Sequence, residues 1–343
     1  MLKSILSRGK GWWTETESQT FSSQNVNSSE PGIIIGNDNC IFPGVDPLVD
    51  GSDCEEDCLN CTIKYPAMFK TNQDRTIYGK IKPFTNHVLV ATGESDWARK
   101  VEYERGSLME AFRKCSSSSS NNQDDPGLMI SASNMSVNQP GEGGDEISRS
   151  GNNSPSEDGW TSVLLLPAFL FVDRVSTVDV PEFMAQYIIP AKRTGIQSKS
   201  AVSGESSEAH LNNNTKLRSR PCPRDYIVLL CSHKRRDARC GISAPLIKRE
   251  LERHLRPLGL LRDEDDERHG GVGIFFVSHV GGHKFAANVL IYRKHAEQMI
   301  WLARIRPEHC EGIVKHTILN GKIIHPETRL RGGFDRKLDL TSW

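Results

Sequence analysis

The chain has no long hydrophobic run and no excess of charge of one sign. Its most apolar segment, residues 163–172, is ten residues long and includes Pro167, whereas a helix needs about 20 apolar residues to cross a membrane. We therefore expect a soluble protein without a transmembrane segment. Lys and Arg together number 43, as do Asp and Glu. The net charge thus gives no indication of a nucleic acid or an anionic membrane as a partner.

Hydrophobic residues are also scarce for a chain of 343 residues, at 37%, and the mean hydropathy is −0.47. This length suggests about two domains, and the low hydrophobic content predicts that part of the chain is disordered. Nine cysteines are present without a recognisable signal peptide, which disfavours a secreted disulfide framework. Clustered cysteines inside a cell more often bind metal or take part in redox chemistry.

The N-terminus is basic before it is acidic. Lys3, Arg8 and Lys10 precede the first acidic residue, Glu15, and the intervening apolar residues could share one helical face. This composition is compatible with a mitochondrial transit peptide, and an unstructured basic terminus is the alternative. We predict that residues 1–30 are flexible, and on these residues alone a mitochondrial and a cytoplasmic location both stay open.

Residues 31–192 are predicted to form an N-terminal α/β domain. Residues 86–91 and 161–175 are typical of buried strands. Residues 115–158 are rich in Ser, Asn, Gly and Pro, and we predict that they are a disordered insertion. A second polar stretch, residues 193–221, is predicted to be a linker. Helices are predicted within residues 98–115 and from about Pro181.

A group of cysteines begins this domain. Cys54, Cys58 and Cys61 have the spacing C-x3-C-x2-C, and Cys40 is a possible fourth thiol. They could be structural cysteines in a loop, a zinc site or a thiol-redox site. The same spacing occurs in radical-SAM enzymes, but those enzymes usually carry an aromatic residue where Asn60 stands, so this chemistry is disfavoured.

Residues 222–322 are predicted to form a second domain with the order β-α-β-β-β-α, followed by a C-terminal tail at residues 323–343. The apolar run at 226–230 is typical of a buried strand. A helix is predicted from Ser243 to Leu258, since Ser243 is a plausible N-cap. The other predicted elements are strands at 272–278, 288–292 and 299–305 and a last helix that begins at Pro307.

Two pairs of metal-binding side chains follow strands of this second domain. Cys231 ends the first strand, and Cys240 follows after eight residues, a spacing too long for the knuckles of zinc fingers. His279 and His283 follow the next strand and enclose a Val-Gly-Gly sequence. Paired glycines disfavour the helix that the H-E-x-x-H zincins use. They instead allow a tight loop that brings both rings to one point.

Two thiolates and two imidazoles fit either a tetrahedral zinc ion or a [2Fe–2S] cluster with split ligation. In Rieske centres two histidines replace two cysteines on one iron. Each Rieske ligand box, however, contains one Cys and one His, whereas here both cysteines come first. The basic loop from Lys234 to Arg239 is either a solvated surface or a guide for an acidic electron donor. The remaining histidines of this half are predicted to be structural or surface residues: His233, His269, His295, His309, His316 and His325.

These motifs resemble the sucrase/ferredoxin-like family of thioredoxin-like ferredoxins, in particular a fungal branch of it. The resemblance rests on CSHKRRDARCG, on SHVGGHKFAANVLIY and on the strand with Trp301 that leads into Arg306-Pro307-Glu308. HVLVATGESDW, LLPAFLF and the Cys54, Cys58 and Cys61 group also resemble the N-terminal half of the family. The resemblance implies a thioredoxin-like fold for residues 222–322. It also implies a [2Fe–2S] cluster bound by Cys231, Cys240, His279 and His283, and it favours mitochondrial residence.

We therefore expect an α/β chain in two parts, with a C-terminal thioredoxin-like ferredoxin domain and an N-terminal α/β unit that a disordered insertion interrupts. The expected function is single-electron transfer, coupled to proton transfer, in mitochondrial thiol redox balance, with an unknown redox partner protein. An electron-transfer protein is favoured over an enzyme with its own substrate. One alternative is a zinc-stabilised interaction module without redox activity. Another is a dithiol oxidoreductase that uses Cys54, Cys58 and Cys61.

Overall fold

The computed structural model describes residues 40–119, 127–137, 159–189 and 217–343. All of these residues fall in a single compact unit. The predictions for residues 1–30, and for most of the linker at 193–221, lie outside the described residues. Among the helices that are described, none combines the length and the apolar composition that crossing a bilayer requires.

One mixed sheet dominates the fold, which confirms the predicted α/β character. Its strands are β1 (Phe84–Ala91), β2 (Gly127–Ser133), β3 (Thr161–Leu166), β4 (Leu170–Val175), β5 (Arg218–Pro221), β6 (Tyr226–Cys231), β7 (Leu261–Arg262), β8 (Val272–Val277), β9 (Val289–Arg293), β10 (Gln298–Leu302), β11 (Leu330–Asp335) and β12 (Leu340–Ser342). The order across the sheet is β12-β11-β10-β9-β6-β8-β2-β1-β3-β4-β5, and β7 pairs with β8.

The helices cover this sheet. They are α1 (Pro47–Asp50), α2 (Leu108–Ser119), α3 (Val180–Phe183), α4 (Ala238–Leu255), α5 (Cys310–Gly312) and α6 (Pro326–Arg329). Short 3-10 turns lie at Val101–Tyr103, Thr177–Asp179, His283–Phe285 and Pro307–His309, and π-helical turns lie at Met184–Ile188 and Ile313–Ile318. The second half of the chain thus follows the predicted order β-α-β-β-β-α, with the short strand β7 added.

The sheet contains the same four-stranded arrangement twice. In the first half, β1 pairs in parallel with β2 and antiparallel with β3, and β3 pairs antiparallel with β4. In the second half, β6 pairs in parallel with β8 and antiparallel with β9, and β9 pairs antiparallel with β10. In each half a helix, α2 or α4, connects the two parallel strands, as parallel pairing requires.

The two halves meet at their parallel edge strands. Ser133 of β2 pairs antiparallel with Val277 of β8, and the Ser278 backbone N–H donates to the Ala132 carbonyl over 2.9 Å. The two predicted α/β units therefore share one continuous sheet. This junction lies directly beside the end of β8, where the predicted histidine loop begins.

Alternate residues of β6 face two different parts of the core. Val228 and Leu230 pack in a buried cluster with Leu251 and Leu255 of α4. Cys231 points to the opposite face and belongs to a second buried cluster. Since both faces of β6 are covered, its sequence YIVLLC is a continuous apolar run instead of an alternating one.

The helix predicted from Ser243 begins earlier, at Ala238, and ends at Leu255. Asp237 is its N-cap, because the Asp237 carboxylate accepts a hydrogen bond from the Arg239 backbone N–H over 3.0 Å. Cys240 consequently lies in the first turn of α4 and not at the end of a loop.

The predicted disordered insertion at 115–158 includes the end of α2 and the whole of β2, which pairs with β1 from Gly127 to Ser133. The rest of the insertion, residues 120–126 and 138–158, lies outside the described residues. The end of the predicted linker likewise supplies β5, which pairs with β4.

The predicted tail at 323–343 contributes α6, β11 and β12. β11 is buried throughout and pairs with β10. Its sequence LRGGFD does not read as a strand, because glycine is a poor strand former. Gly333 is nevertheless required there, since a side chain would collide with the Met299 carbonyl oxygen of β10.

Candidate metal centre

Three of the four predicted ligands converge at one edge of the sheet. The ligand atoms of Cys231, Cys240 and His279 all lie within 4.8 Å of one another. Cys231 Sγ is 3.9 Å from His279 Nδ1. Both thiols are buried and the His279 ring is half-buried. The backbone of His283 opens the 3-10 turn after the glycines, and its side chain lies outside the described part of the structure.

The parallel pairing of β6 and β8 explains this convergence. Cys231 is aligned with Val277, so the residues that follow both strands leave the sheet at the same edge. The loop after β6 then returns to this edge and starts α4, which brings Cys240 back to Cys231. The N-terminus of a helix favours negative charge, and a thiolate in the first turn of α4 is therefore in a favourable field.

The two thiols influence each other's ionisation in opposite directions. A hydrogen bond from Cys240 lowers the pKa of Cys231 well below its ordinary value, and a hydrogen bond with His279 adds to this effect against the cost of burial. The Cys231 sulfur in turn raises the pKa of Cys240, and burial adds to the increase. The pair thus gives up its first proton readily and holds the second. A bound cation would stabilise the second thiolate.

His233 holds the backbone of the histidine loop, a role that sequence reasoning did not assign to it. The His279 backbone N–H donates to His233 Nδ1 over 3.2 Å. Nδ1 is therefore the acceptor, and Nε2–H donates to the Trp97 carbonyl over 3.0 Å. The ring is 1% exposed, and its burial lowers the pKa of His233, which favours the neutral form. The available signal was its position two residues after Cys231.

The first half of the chain thus reaches the candidate metal centre through the segment after β1. Besides the Trp97 carbonyl, the Ser95 carbonyl accepts a hydrogen bond from Ser232 Oγ over 2.6 Å. Trp97 Nε1 donates to Thr92 Oγ1 over 2.9 Å, which orients this segment. The segment HVLVATGESDW therefore makes direct contact with the loop that follows Cys231.

A buried cation, Arg331 of β11, lies against the other side of the histidine loop. Arg331 as a whole is 4% exposed. Its guanidinium donates from Nη1 to the Gly281 carbonyl over 3.3 Å and to Asn288 Oδ1 over 3.0 Å. Nη2 donates to the Lys80 carbonyl over 3.1 Å. The guanidinium carbon lies 4.6 Å from the centre of the Trp301 ring. No carboxylate among the described residues pairs with it.

This arginine explains one of the two paired glycines. Gly282 has φ +69°, and a Cβ at this position would stand 2.5 Å from Arg331 Nη1. Burial lowers the pKa of Arg331 to about 10, while the negative charge of Cys231 opposes the shift. Arg331 is therefore cationic at neutral pH and offsets negative charge at the thiolates.

The donor set fits a thiophilic metal or an iron–sulfur cluster. Thiolates and imidazoles bind both zinc and iron. Within the described residues, Arg331 Nε and Asn288 Nδ2 are buried donors without a hydrogen-bond acceptor. Such donors suit a sulfur-rich or anionic group, since hydrogen bonds to the sulfur atoms are one way a protein tunes an iron–sulfur centre.

The basic loop is partly tied down. The Arg235 backbone N–H donates to Asp96 Oδ1 over 3.0 Å, and Arg236 Nη1 donates to the Arg99 carbonyl over 3.2 Å. The Arg239 guanidinium pairs with Asp237 at 2.7 Å. Lys234 and Arg235 remain exposed, so positive charge remains at the rim of the candidate centre.

The other cysteine group is spread along its loop. Cys54, Cys58 and Cys61 do not bring three sulfur atoms to one point in the described structure. Cys58 instead lies with His254 and Glu311, and their ligand atoms are all within 4.8 Å of one another. Cys61 Sγ donates to Glu250 Oε1 over 3.3 Å, and Cys54 is buried elsewhere in the same loop.

Comparison with known proteins gives one family and several relatives. The family model described as Sucrase/ferredoxin-like matches residues 77–332. Actin patches distal protein 1 of Saccharomyces cerevisiae is 36% identical over 162 residues, which are 46% of this chain and 46% of the relative. Altered inheritance of mitochondria protein 32 of Clavispora lusitaniae is 34% identical over 175 residues, 49% of this chain and 58% of the relative. The protein of the same name from Meyerozyma guilliermondii is 30% identical over 165 residues, 47% of this chain and 55% of the relative.

The matched segments thus span about half the length of these curated relatives. No solved structure gives a significant match.

Proposed function

Because the chain belongs to the sucrase/ferredoxin-like family, we propose that it is a redox protein that carries a [2Fe–2S] cluster bound by Cys231, Cys240, His279 and His283. The observation that carries the proposal is the convergence of two buried thiols and one imidazole at the shared edge of β6 and β8. Two sequence-distant segments build this edge, and each supplies one pair of the proposed ligands.

When bound, the cluster supplies a single-electron redox couple. The chain contributes two thiolates on the buried side and an imidazole that is half-buried. His279 is therefore the more accessible of the described ligands, and its ring nitrogen that does not bind iron can exchange a proton with solvent. With a cluster bound, this imidazole would couple electron transfer to proton transfer, because its basicity would depend on the charge of the metal.

The strand order supports the proposed thioredoxin-like fold of residues 222–322. Strands β6 and β8 are parallel, β9 and β10 follow antiparallel on the other side of β6, and α4 connects the parallel pair. This is the core arrangement of thioredoxin-like domains. The same arrangement in the first half supports an internal repeat in which only the second copy carries the Cys and His pairs.

A zinc-stabilised interaction module is the second candidate, and one observation favours it. The 3.9 Å between Cys231 Sγ and His279 Nδ1 is close to the roughly 3.6 Å expected for two tetrahedral zinc ligands with ordinary bond lengths. Such a protein would use the metal to hold the loop after β8 against the start of α4 and would have no redox activity.

Metal and sulfide analysis of the full chain, purified anaerobically, distinguishes the two candidates. The proposal expects two iron and two acid-labile sulfide atoms per chain and visible absorption that reduction bleaches. Cys231→Ser and Cys240→Ser should each impair cluster retention, whereas Cys40→Ser, at an exposed cysteine, should not. Zinc at this site without iron or sulfide would support the second candidate and exclude the first.

We also propose a mitochondrial location and a role in thiol redox balance, with the cytoplasm as the alternative. Relatives named altered inheritance of mitochondria protein 32 support a mitochondrial link, while actin patches distal protein 1 carries a different name. The exposed Lys234 and Arg235 favour an acidic redox partner protein. Fractionation of cells that express the tagged full chain tests the location, and a purely cytoplasmic signal would exclude mitochondria.

A further inference from the structure

We propose a second metal site at the opposite end of α4, in which Cys58, His254 and Glu311 bind a zinc ion. The two sites are about 20 Å apart along the helix axis, given the rise of 1.5 Å per residue between Cys240 and His254. They share no ligand, so this site is independent of the proposed cluster.

The three ligands form a compact and chemically mixed set. Their ligand atoms all lie within 4.8 Å of one another, with Cys58 and His254 half-buried and Glu311 exposed. Zinc accepts sulfur, nitrogen and carboxylate oxygen ligands, and a site with three protein ligands leaves a fourth position for water or another molecule. A thiolate disfavours magnesium and calcium, which prefer oxygen ligands.

Packed elements of the structure bring these ligands together. His254 is in the last turn of α4, and Glu311 is the central residue of α5. The loop that carries Cys58 is fixed to the same region, because the Cys58 backbone N–H donates to the Glu308 carbonyl over 3.0 Å. Cys310 Sγ contacts the Ile247 carbonyl over 3.8 Å, which joins α5 to α4.

A buried carboxylate lies beneath the ligands. Glu250 is 0% exposed, one helical turn before His254, and its Oε2 lies 3.7 Å from His254 Nε2. Its Oε1 accepts a hydrogen bond from Cys61 Sγ. Glu250 therefore places a negative charge directly beside the ligand set, which favours a bound cation.

Arg253 occupies the edge of this site and competes with a metal ion. Its Nη2 lies 3.5 Å from Cys58 Sγ and 3.0 Å from His254 Nε2, while its Nε pairs with Glu250 at 2.5 Å. The Arg253 side chain is 45% exposed, so the guanidinium has room to move as a unit toward solvent. Zinc would then bind Cys58 Sγ and His254 Nε2 in place of the contacts that Nη2 now makes with them.

The test uses the full chain with Cys231→Ser and Cys240→Ser, which removes the first site, and zinc itself as the probe. After treatment with a chelator, the protein is titrated with Zn²⁺ against a chromophoric competitor. We expect one equivalent to bind. Cys58→Ser or His254→Gln should weaken binding at least a hundredfold and Glu311→Gln about tenfold, in line with the loss of metal ligands. Cys54→Ser, a neighbouring cysteine outside the set, is the matched control and should leave the affinity unchanged.

Arg253→Ala gives a result that a merely structural thiol cluster would not. Removal of the competing guanidinium should raise zinc affinity several-fold, and Co²⁺ in place of zinc should show thiolate-to-cobalt absorption that Cys58→Ser abolishes. No zinc binding by the double variant, or binding that Cys58→Ser and His254→Gln leave unchanged, would overturn the proposal.

If the double variant does not fold, the same test can be made in the wild-type chain. There, Cys58→Ser should lose one zinc per chain and retain its iron and sulfide. Retention of all zinc by this variant would contradict the site at Cys58 and leave the cluster proposal untouched.

Discussion

Cys231 Sγ lies 3.9 Å from His279 Nδ1, although the two residues are separated by a helix and two strands in the chain. The parallel pairing of β6 and β8 sets this distance. Each strand delivers one ligand type to the same edge, and the helix between them delivers the second thiol. Substitutions of His279, and of His233 and Arg331 that contact its loop, should therefore all affect the same compact site.

His279→Cys should retain a cluster and lower its reduction potential by roughly 100 mV or more, since histidine ligands raise the potential of such centres relative to thiolates. The same change should weaken the pH dependence of the potential, because an ionisable imidazole is lost. Redox titration of the full chain over a range of pH values measures both effects, and the equivalent change at His283 should act in the same direction. A midpoint and slope equal to those of the wild type would contradict histidine ligation.

His233→Leu should destabilise the fold by about 1–3 kcal/mol, because the His279 backbone N–H and the Trp97 carbonyl both lose their buried partner. His233→Asn can still offer an acceptor near the position of Nδ1 and should lose less stability. Denaturant unfolding measures this difference, and the rate of cluster loss separates positioning from stability. If both variants release the cluster at the wild-type rate, His233 has no positioning role.

Arg331→Met should lower the reduction potential of the bound cluster, because removal of a buried cation disfavours the more negative, reduced state. Arg331→Lys retains the charge without the three directed hydrogen bonds. It should therefore preserve the potential better than it preserves cluster lifetime. Arg336→Met, at an exposed arginine five residues further on, is the control. Equal potentials for wild type and Arg331→Met would show that this charge does not reach the cluster.

His87 should make the fold sensitive to mild acid. Burial lowers its pKa to about 3, and its nitrogens lie 2.9 Å from Tyr292 Oη and 2.9 Å from Ser131 Oγ. Below about pH 6.5 the unfolded chain binds a proton that the folded chain does not, so stability falls as pH falls. His87 alone should contribute a slope of up to about 1.4 kcal/mol per pH unit between about pH 6 and pH 3.

His87→Gln retains a polar group at this position and should remove only the His87 contribution to the slope, because burial also lowers the pKa of His309, to about 2, and His309 keeps its own contribution. Unfolding free energies of the two proteins, measured at a series of pH values, test this. Parallel pH profiles would mean that His87 is not the acid-sensitive group.

The convergence of Cys231, Cys240 and His279 could be predicted from the sequence, because each Cys or His pair is local and begins at the end of a strand of continuous apolar residues. The residues that hold the histidine loop in place, Arg331 and His233, could not be predicted. Arg331 lies in a segment whose glycines are untypical of a strand, and His233 resembles any polar loop residue until its partners are known. Local patterns do not show which distant backbone groups a side chain will reach.

The same limit explains the other differences. β2 is surrounded by polar sequence, so only its pairing with β1 identifies it as a strand. Cys58, His254 and Glu311 are far apart in the chain, and no spacing rule connects a loop cysteine to the end of one helix and the middle of another. The predicted start of α4 at Ser243 was wrong, because Asp237 caps the helix instead.

The position of Arg331 on β11 has a consequence for biosynthesis. The proposed ligands are translated first, and the cation that lies against the Gly281–Gly282 turn comes from a strand made later. A nascent chain that extends past His283 but not as far as β11 would therefore contain all four proposed ligands. It would lack the Arg331 cation and the strand that covers this side of the site. Maturation of the centre should accordingly follow completion of this strand, and loading during synthesis should be inefficient.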